Sequence, residues 1–193
     1  MDLITIPNNN EQLFLEVAQK MNKKVSFLYT TLEEASKPLC GLLINERDKK
    51  KQIVLINKAK SKNIKTFIEA SEDAKANRFL IERVVPDVMY NFEKVPRKDS
   101  VHYKRSGLDQ VLCKLLAKKN ITVGFSFSSI LNAQKPEVVI GRILQNIRFC
   151  KKYKVKMVFS PFATDPYQLR TEKDLKAFLL GLGVDTGVVK KMF

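Results

Sequence analysis

Lysine and arginine are the residues of this chain best placed to do chemistry, and that chemistry is the binding of anions. There are 35 of them against 20 aspartates and glutamates, a formal net charge of +15. An excess of this size sets up a positive field that favours polyanions, nucleic acid first among them. Residues 49–68 hold Lys49, Lys50, Lys51, Lys58, Lys60, Lys62 and Lys65 without an acid, and residues 138–164 hold Arg142, Arg148, Lys151, Lys152, Lys154 and Lys156 without one. A solvated helix ordinarily mixes signs to gain i,i+4 pairs. Helices that forgo them are easier to explain if an outside anion supplies the counter-charge. A third stretch, "VPRKDSVHYKRSG", gathers Arg97, Lys98, His102, Lys104 and Arg105 around Tyr103. Cations beside an aromatic ring, at the unsatisfied N–H groups of a helix start, form a platform for phosphate and base.

Other chemistry is thinly supplied. His102 is the one histidine, whereas a metal-dependent phosphoesterase barrel needs several His and acidic ligands. Asp99, Ser100 and His102 are chain neighbours, and a triad depends on spatial arrangement rather than proximity in sequence. There is no phosphate-binding Walker loop. No catalytic residue, metal ligand or bound cofactor is therefore expected. The rival reading is a barrel enzyme that uses Glu69, Asp87 or His102 on a phosphorylated small molecule. Cys40, Cys113 and Cys150 are an odd set with no CxxC spacing, which implies neither a disulfide framework nor a zinc site. A reducing, cytoplasmic setting is expected. The N-terminus "MDLITIPNNN" lacks a signal-peptide pattern, and no apolar run approaches the roughly 18 residues of a membrane span.

The elements that must position these cations alternate. Strand-like runs at Leu3–Pro7, Val25–Thr30, Cys40–Ile44, Thr66–Ala70, Val85–Phe92, Ile121–Phe127 and Lys156–Phe162 are separated by helical patterns at Asn10–Met21, Lys51–Lys62, Ala74–Arg83, Ser106–Lys119 and Pro136–Tyr153. Thr171–Leu182 and Asp185–Phe193 read as closing helices. This order implies βαβ units and a parallel sheet. About seven strands in unbroken order fit a single (β/α) barrel over residues 1–193, with a doubly wound open sheet as the alternative. Ser106 is the expected cap of its helix, with Asp109 three residues on. In the strand that follows, Ile121, Val123, Phe125 and Phe127 alternate with Thr122, Gly124, Ser126 and Ser128. One set suits packing on helices, and the small set suits a crowded barrel interior.

"DSVHYKRSGLDQVLCKLLAKKNITVGFSFSSILN" and "RILQNIRFCKKYKVKMVFSPFATDPYQLRTEKDLKAFLLGLG" strongly resemble the thirty-kilodalton-class protein subunit of ribonuclease P, component 3, of archaea and eukaryotes. The resemblance covers the second half well; the first half follows through strand order and "NRFLIERVVPDVM". It implies a TIM-barrel-like fold related to metal-dependent phosphoesterase barrels but without their metal site. It also implies a role in a ribonucleoprotein that removes the 5′ leader of precursor tRNA. In such a particle the RNA carries the catalysis with its own magnesium ions. Implied partners are that RNA, precursor tRNA as substrate, a small ferredoxin-like protein subunit and other ribonuclease P proteins, in the cytoplasm or, for a eukaryotic source, the nucleus. Arg105, Lys119, Arg142, Arg148, Lys152 and Arg170 are the RNA-facing residues it implies; the loop reading adds Arg97, His102 and Lys104. Relatives tend to carry Asn where this chain has Asp109, which favours a capping role for the acid.

Overall fold

A computed structural model describes residues 2–96, 98–101 and 104–193. Seven parallel strands follow one another in chain order, β1 (Leu3–Thr5), β2 (Val25–Tyr29), β3 (Cys40–Leu43), β4 (Thr66–Glu69), β5 (Val88–Tyr90), β6 (Thr122–Ser126) and β7 (Met157–Ser160). A doubly wound sheet would reverse direction at a switch point; this one does not. It curls until the segment after β7 meets β1. Thr5 and Ala163 form a parallel bridge, the Ile6 N–H donates to the Ala163 carbonyl at 2.7 Å, and the Ile4 N–H donates to Ser160 Oγ at 3.1 Å. The result is a nearly closed, TIM-barrel-like α/β fold.

Helices α1 (Glu11–Lys20), α2 (Leu32–Ala35), α3 (Lys49–Ser61), α4 (Ala74–Phe79), α5 (Gln110–Lys119), α6 (Phe127–Leu131), α7 (Pro136–Tyr153), α8 (Glu172–Gly181) and α9 (Thr186–Lys190) surround the sheet. Strand alternation separates two cores. Leu28, Phe67, Val88, Tyr90 and Phe162 fill the barrel interior. Met89, Val123, Phe125 and Phe159 face outward under the helices with Leu112, Leu116, Ile143 and Ile147. Gly124 is inward, where a Cβ would lie 2.9 Å from Tyr90 Cβ and 3.1 Å from the Phe162 ring. Small residues on that face do make room, because Phe162 stacks on Tyr90 at 4.6 Å across the centre. The buried thiols of Cys113 on α5 and Cys150 on α7 meet; their hydrogen bond lowers the first and, together with burial, raises the second well above the ordinary value.

Three expectations are corrected. Ser106 does not cap α5. It is buried, its hydroxyl accepts from Gln145 Nε2 at 2.9 Å and its carbonyl accepts from Asn146 Nδ2 at 2.7 Å. Asp109 is the cap, accepting the Leu112 N–H at 2.8 Å. Between them Gly107 turns at φ +80, where a Cβ would lie 2.0 Å from the Phe92 carbonyl oxygen, so only glycine lets the chain pass. Phe127 leaves the strand for α6, because Ser126 Oγ takes the Ser129 N–H and starts a helix there. The helix expected to Arg83 ends at Phe79 and continues as a π-turn over Leu80–Val84.

Candidate nucleic-acid interface

Helix polarity sorts the charge along the barrel axis. In a (β/α) unit the helix starts near the strand's C-terminal edge and ends near the next strand's N-terminal edge. Capping draws acids to the first of these ends, the mouth: Asp48, Asp73 and Asp109 cap α3, α4 and α5, where the positive helix end also favours them. Lysines collect at the other end. Lys20, Lys23 and Lys24 run from the last turn of α1 to β2, and Lys58, Lys60, Lys62 and Lys65 from the last turn of α3 to β4. Lys118 and Lys119 close α5, while Lys151, Lys152, Lys154 and Lys156 lead from α7 into β7.

These four corners contain no acid, and all of the lysines but Lys23 are exposed. None of the ion pairs among the described residues includes any of them. One lysine per helix end is worth about 0.3–1 kcal/mol against the macrodipole. Two to four at a corner repel one another, so dipole compensation does not account for the crowding. Lys154 even occupies a left-handed position, φ 57, at the end of α7, where glycine or asparagine is the preferred residue. A cleft of about 780 Å³ opens at this end, lined by Lys151, Lys154, Lys156 and Lys191 with Asp185. The Asp185 carboxylate accepts the Val188 N–H at 3.1 Å as the cap of α9. The arrangement is a lysine collar with a cleft in it, suited to a chain of phosphates.

The loop between β5 and α5 lies at the mouth end and is held by α7. Arg142 is 5% exposed; its Nη1 donates to the carbonyls of Glu93 and Val95 at 3.1 and 2.6 Å. Its Nε and Nη2 meet Asp99 Oδ1 at 2.9 Å, and the same oxygen accepts the Arg105 N–H. Burial opposes ionisation of Asp99, but the Arg105 N–H and the Arg142 guanidinium outweigh it and hold the carboxyl below its ordinary value. Gln145 Nε2 donates to the Lys104 carbonyl at 2.9 Å. Arg105 lines a cleft of about 540 Å³ with Ser71, Asp73 and Asn77.

The profile of the RNase P subunit p30 family matches residues 37–193. The chain belongs to this family. Component 3 of ribonuclease P from Methanococcus vannielii is 29% identical over 150 residues, 77% of this chain and 59% of its own length. The protein of the same name from Thermococcus kodakarensis is 26% identical over 134 residues, 68% of this chain and 57% of its own. The chain thus spans little more than half the length of these relatives. A chain in a cryo-EM structure of archaeal ribonuclease P with mature tRNA shares the fold, with TM-score 0.74 and 22% identity over 98% of this chain and 86% of that one.

The residues expected from the resemblance and from the loop reading do not form one patch. Lys119 and Lys152 belong to the collar. Lys104 and Arg105 sit at the other end, with the Lys104 side chain running along Gly141 of α7. Arg148 is exposed on α7 between the two ends. Arg170 is half-buried: its Nη1 donates to the carbonyls of Tyr167 and Leu169 at 2.9 and 2.7 Å, and its guanidinium lies 5.9 Å from the Phe127 ring centre. Arg97 and His102 lie outside the described residues. Arg142 was expected to face RNA; the structure turns it inward, because its donors are needed by the carbonyls of the loop. Replacing Arg142 with Met should cost about 2 kcal/mol, since loop carbonyls and Asp99 lose their donor. Trypsin should then cut at Lys98, Lys104 or Arg105 several-fold faster; an unchanged cleavage rate would exclude the anchoring role.

Glu69 and Asp87, the acids of the enzyme reading, are separated by the length of β4. Glu69 ends that strand at the mouth. Asp87 Oδ2 accepts the N–H and hydroxyl of Thr66 at 2.8 and 2.6 Å at its other end. No group of three or more His, Cys, Asp or Glu side chains able to hold a metal ion occurs among the described residues.

Proposed function

We propose that this chain is an RNA-binding protein subunit of a ribonuclease P ribonucleoprotein, supporting RNA-catalysed removal of the 5′ leader from precursor tRNA. Family membership supports the particle, and the observation that carries the binding role is the collar of exposed lysines. Those lysines neutralise phosphates of the ribonuclease P RNA, so that it folds and cleaves at lower magnesium; the magnesium belongs to the RNA. Residues 1–193 work as one barrel domain, beside a small ferredoxin-like protein subunit and the other ribonuclease P proteins. The three cysteines are free, which suits a reducing cytoplasmic setting, and no helix among the described residues is long and apolar enough to cross a membrane.

Lys104, Arg105, Arg148 and Arg170, with Arg97 and His102, remain RNA-facing in this reading. Arg142 acts through the loop that it anchors. The test is affinity for the ribonuclease P RNA as a function of salt, alongside precursor-tRNA cleavage with and without the protein at limiting magnesium. Six or more phosphate contacts should weaken binding at least about a thousandfold between roughly 50 and 200 mM salt. Added protein should restore cleavage at magnesium levels where the RNA alone fails. A flat salt response, or cleavage indifferent to the protein, would refute the reading.

A further inference from the structure

The barrel mouth holds a second constellation, independent of the collar. A cavity of about 520 Å³ opens there, within the size range of small-molecule sites. Its floor is the stacked pair Tyr90 and Phe162, and Leu43, Ile44 and Val139 contribute apolar wall. A directed hydrogen-bond chain runs along one side. Ser129 Oγ donates to Asn91 Oδ1 at 2.6 Å, and Asn91 Nδ2 donates to Glu69 Oε1 at 2.7 Å. Lys94 Nζ donates to the same Oε1 at 2.8 Å. Asn91 and Ser129 are buried, so the chain fixes the Glu69 carboxylate from behind. Both donors use Oε1, so Oε2 is left to accept from the cavity, and a ligand that draws Lys94 away frees a second acceptor site on Oε1. The two charged side chains are about half exposed, 48% for Glu69 and 51% for Lys94. An ion pair this exposed contributes little, so a ligand can enter between its members without much loss.

We propose that this mouth is a pocket for a guanine base. A fixed carboxylate beside an ammonium is an acceptor site beside a donor site. Of the four RNA bases only guanine presents two parallel N–H donors, N1–H and N2–H, next to a carbonyl acceptor, O6. Adenine and cytosine each set a ring-nitrogen acceptor beside their amino group, and uracil has one N–H between two carbonyls. The aromatic floor and apolar wall suit a heterocyclic ring, and the hydrogen-bond chain behind Glu69 holds the carboxylate in place before the base arrives. The base can come from an unpaired nucleotide of an RNA or from a free guanine nucleotide; the recognition chemistry is the same.

The test titrates the purified chain with GMP, IMP, AMP, CMP and UMP, followed by saturation-transfer NMR. In parallel, single-stranded oligoribonucleotides carrying one guanine, or inosine in its place, are titrated. Inosine keeps N1–H and O6 and loses only the N2 amine. Guanine should be preferred over inosine about tenfold, and the preference should vanish in Glu69→Gln, whose amide still accepts from Asn91. Lys94→Met, exposed and harmless to folding, should weaken guanine several-fold, and thermal melting of both variants checks that the fold is intact. Guanine preference in the oligonucleotide alone assigns the base to RNA; preference in the mononucleotide alone assigns it to a free nucleotide. Equal binding of guanine and inosine, or a preference that survives Glu69→Gln, overturns the proposal. A variant lacking collar lysines should keep the guanine preference, which separates this outcome from failure of the RNA-backbone reading.

Discussion

Replacing Lys118, Lys119, Lys152 and Lys154 together with glutamine is expected to lower affinity for ribonuclease P RNA about a hundredfold at about 0.1 M salt. It should also flatten the slope of log affinity against log salt by about 3 to 4, because each lost phosphate contact removes roughly 0.9 counterions or somewhat less. All four side chains are exposed at the ends of α5 and α7, so folding has little to lose. The helices forfeit favourable charges at their C-terminal ends but escape mutual repulsion, and melting should move by a few degrees at most. The control removes the same charge from the mouth end, at Lys50, Lys51, Lys75 and Lys173, which start α3, α4 and α8. That set should weaken binding much less. If both quadruple variants weaken it equally, RNA is responding to net charge alone and the collar is not the interface.

Glu93→Gln should stabilise the protein at neutral pH by about 2 to 3 kcal/mol, an unusual sign for a substitution in the interior. Glu93 is 0% exposed, and among the described residues no other residue hydrogen-bonds either carboxylate oxygen. Burial raises its pKa from 4.5 to about 7, opposed by its own backbone N–H and by Lys94 and assisted by Glu69. Below about pH 4.5 both folded and unfolded states keep the proton, and the acid costs no ionisation energy. Between about 4.5 and 7 the unfolded chain releases its proton while the folded one holds it, so stability falls as pH rises. Above about 7 both are ionised and the loss levels off. At 1.36 kcal/mol per pKa unit the full loss is about 3 kcal/mol. Denaturant melts at pH 4.5 and 7.5 read the effect directly. The variant should exceed the parent at the higher pH and match it at the lower; equal differences at both would show that the carboxylate finds compensation inside.

The alternation of strands and helices was legible because it depends on local pattern. The ends of Pro136–Tyr153 agree residue for residue with the structure, since proline favours the first helical turn and the apolar period ends cleanly. Position along the barrel axis was much less legible. Lys119 and Arg105 are 14 residues apart and belong to opposite ends, whereas Lys24, Lys65 and Lys156 are far apart in sequence and share one. The fate of Arg142 was hidden for a related reason: an arginine among lysines reads as surface until the loop carbonyls of Glu93 and Val95 are known to need its donors. In the sequence Glu69 stands only as one candidate of the enzyme reading. What distinguishes it is the hydrogen-bond chain Ser129–Asn91–Glu69, whose successive members are 38 and 22 residues apart in sequence. The lysine at position 154 was the one local signal of the collar, because asparagine fills the equivalent position after α5.

Crowding lysines at the helix C-terminal corners while aspartates cap helices at the mouth gives the barrel a permanent electric moment along its axis. A polyanion exerts a torque on such a body before any contact forms. The molecule should therefore arrive lysine end first, with its mouth turned away from the first strand it meets. Docking would then be oriented during diffusion rather than by trial after collision, and a second segment of nucleic acid could reach the mouth from the far side while the collar stays engaged.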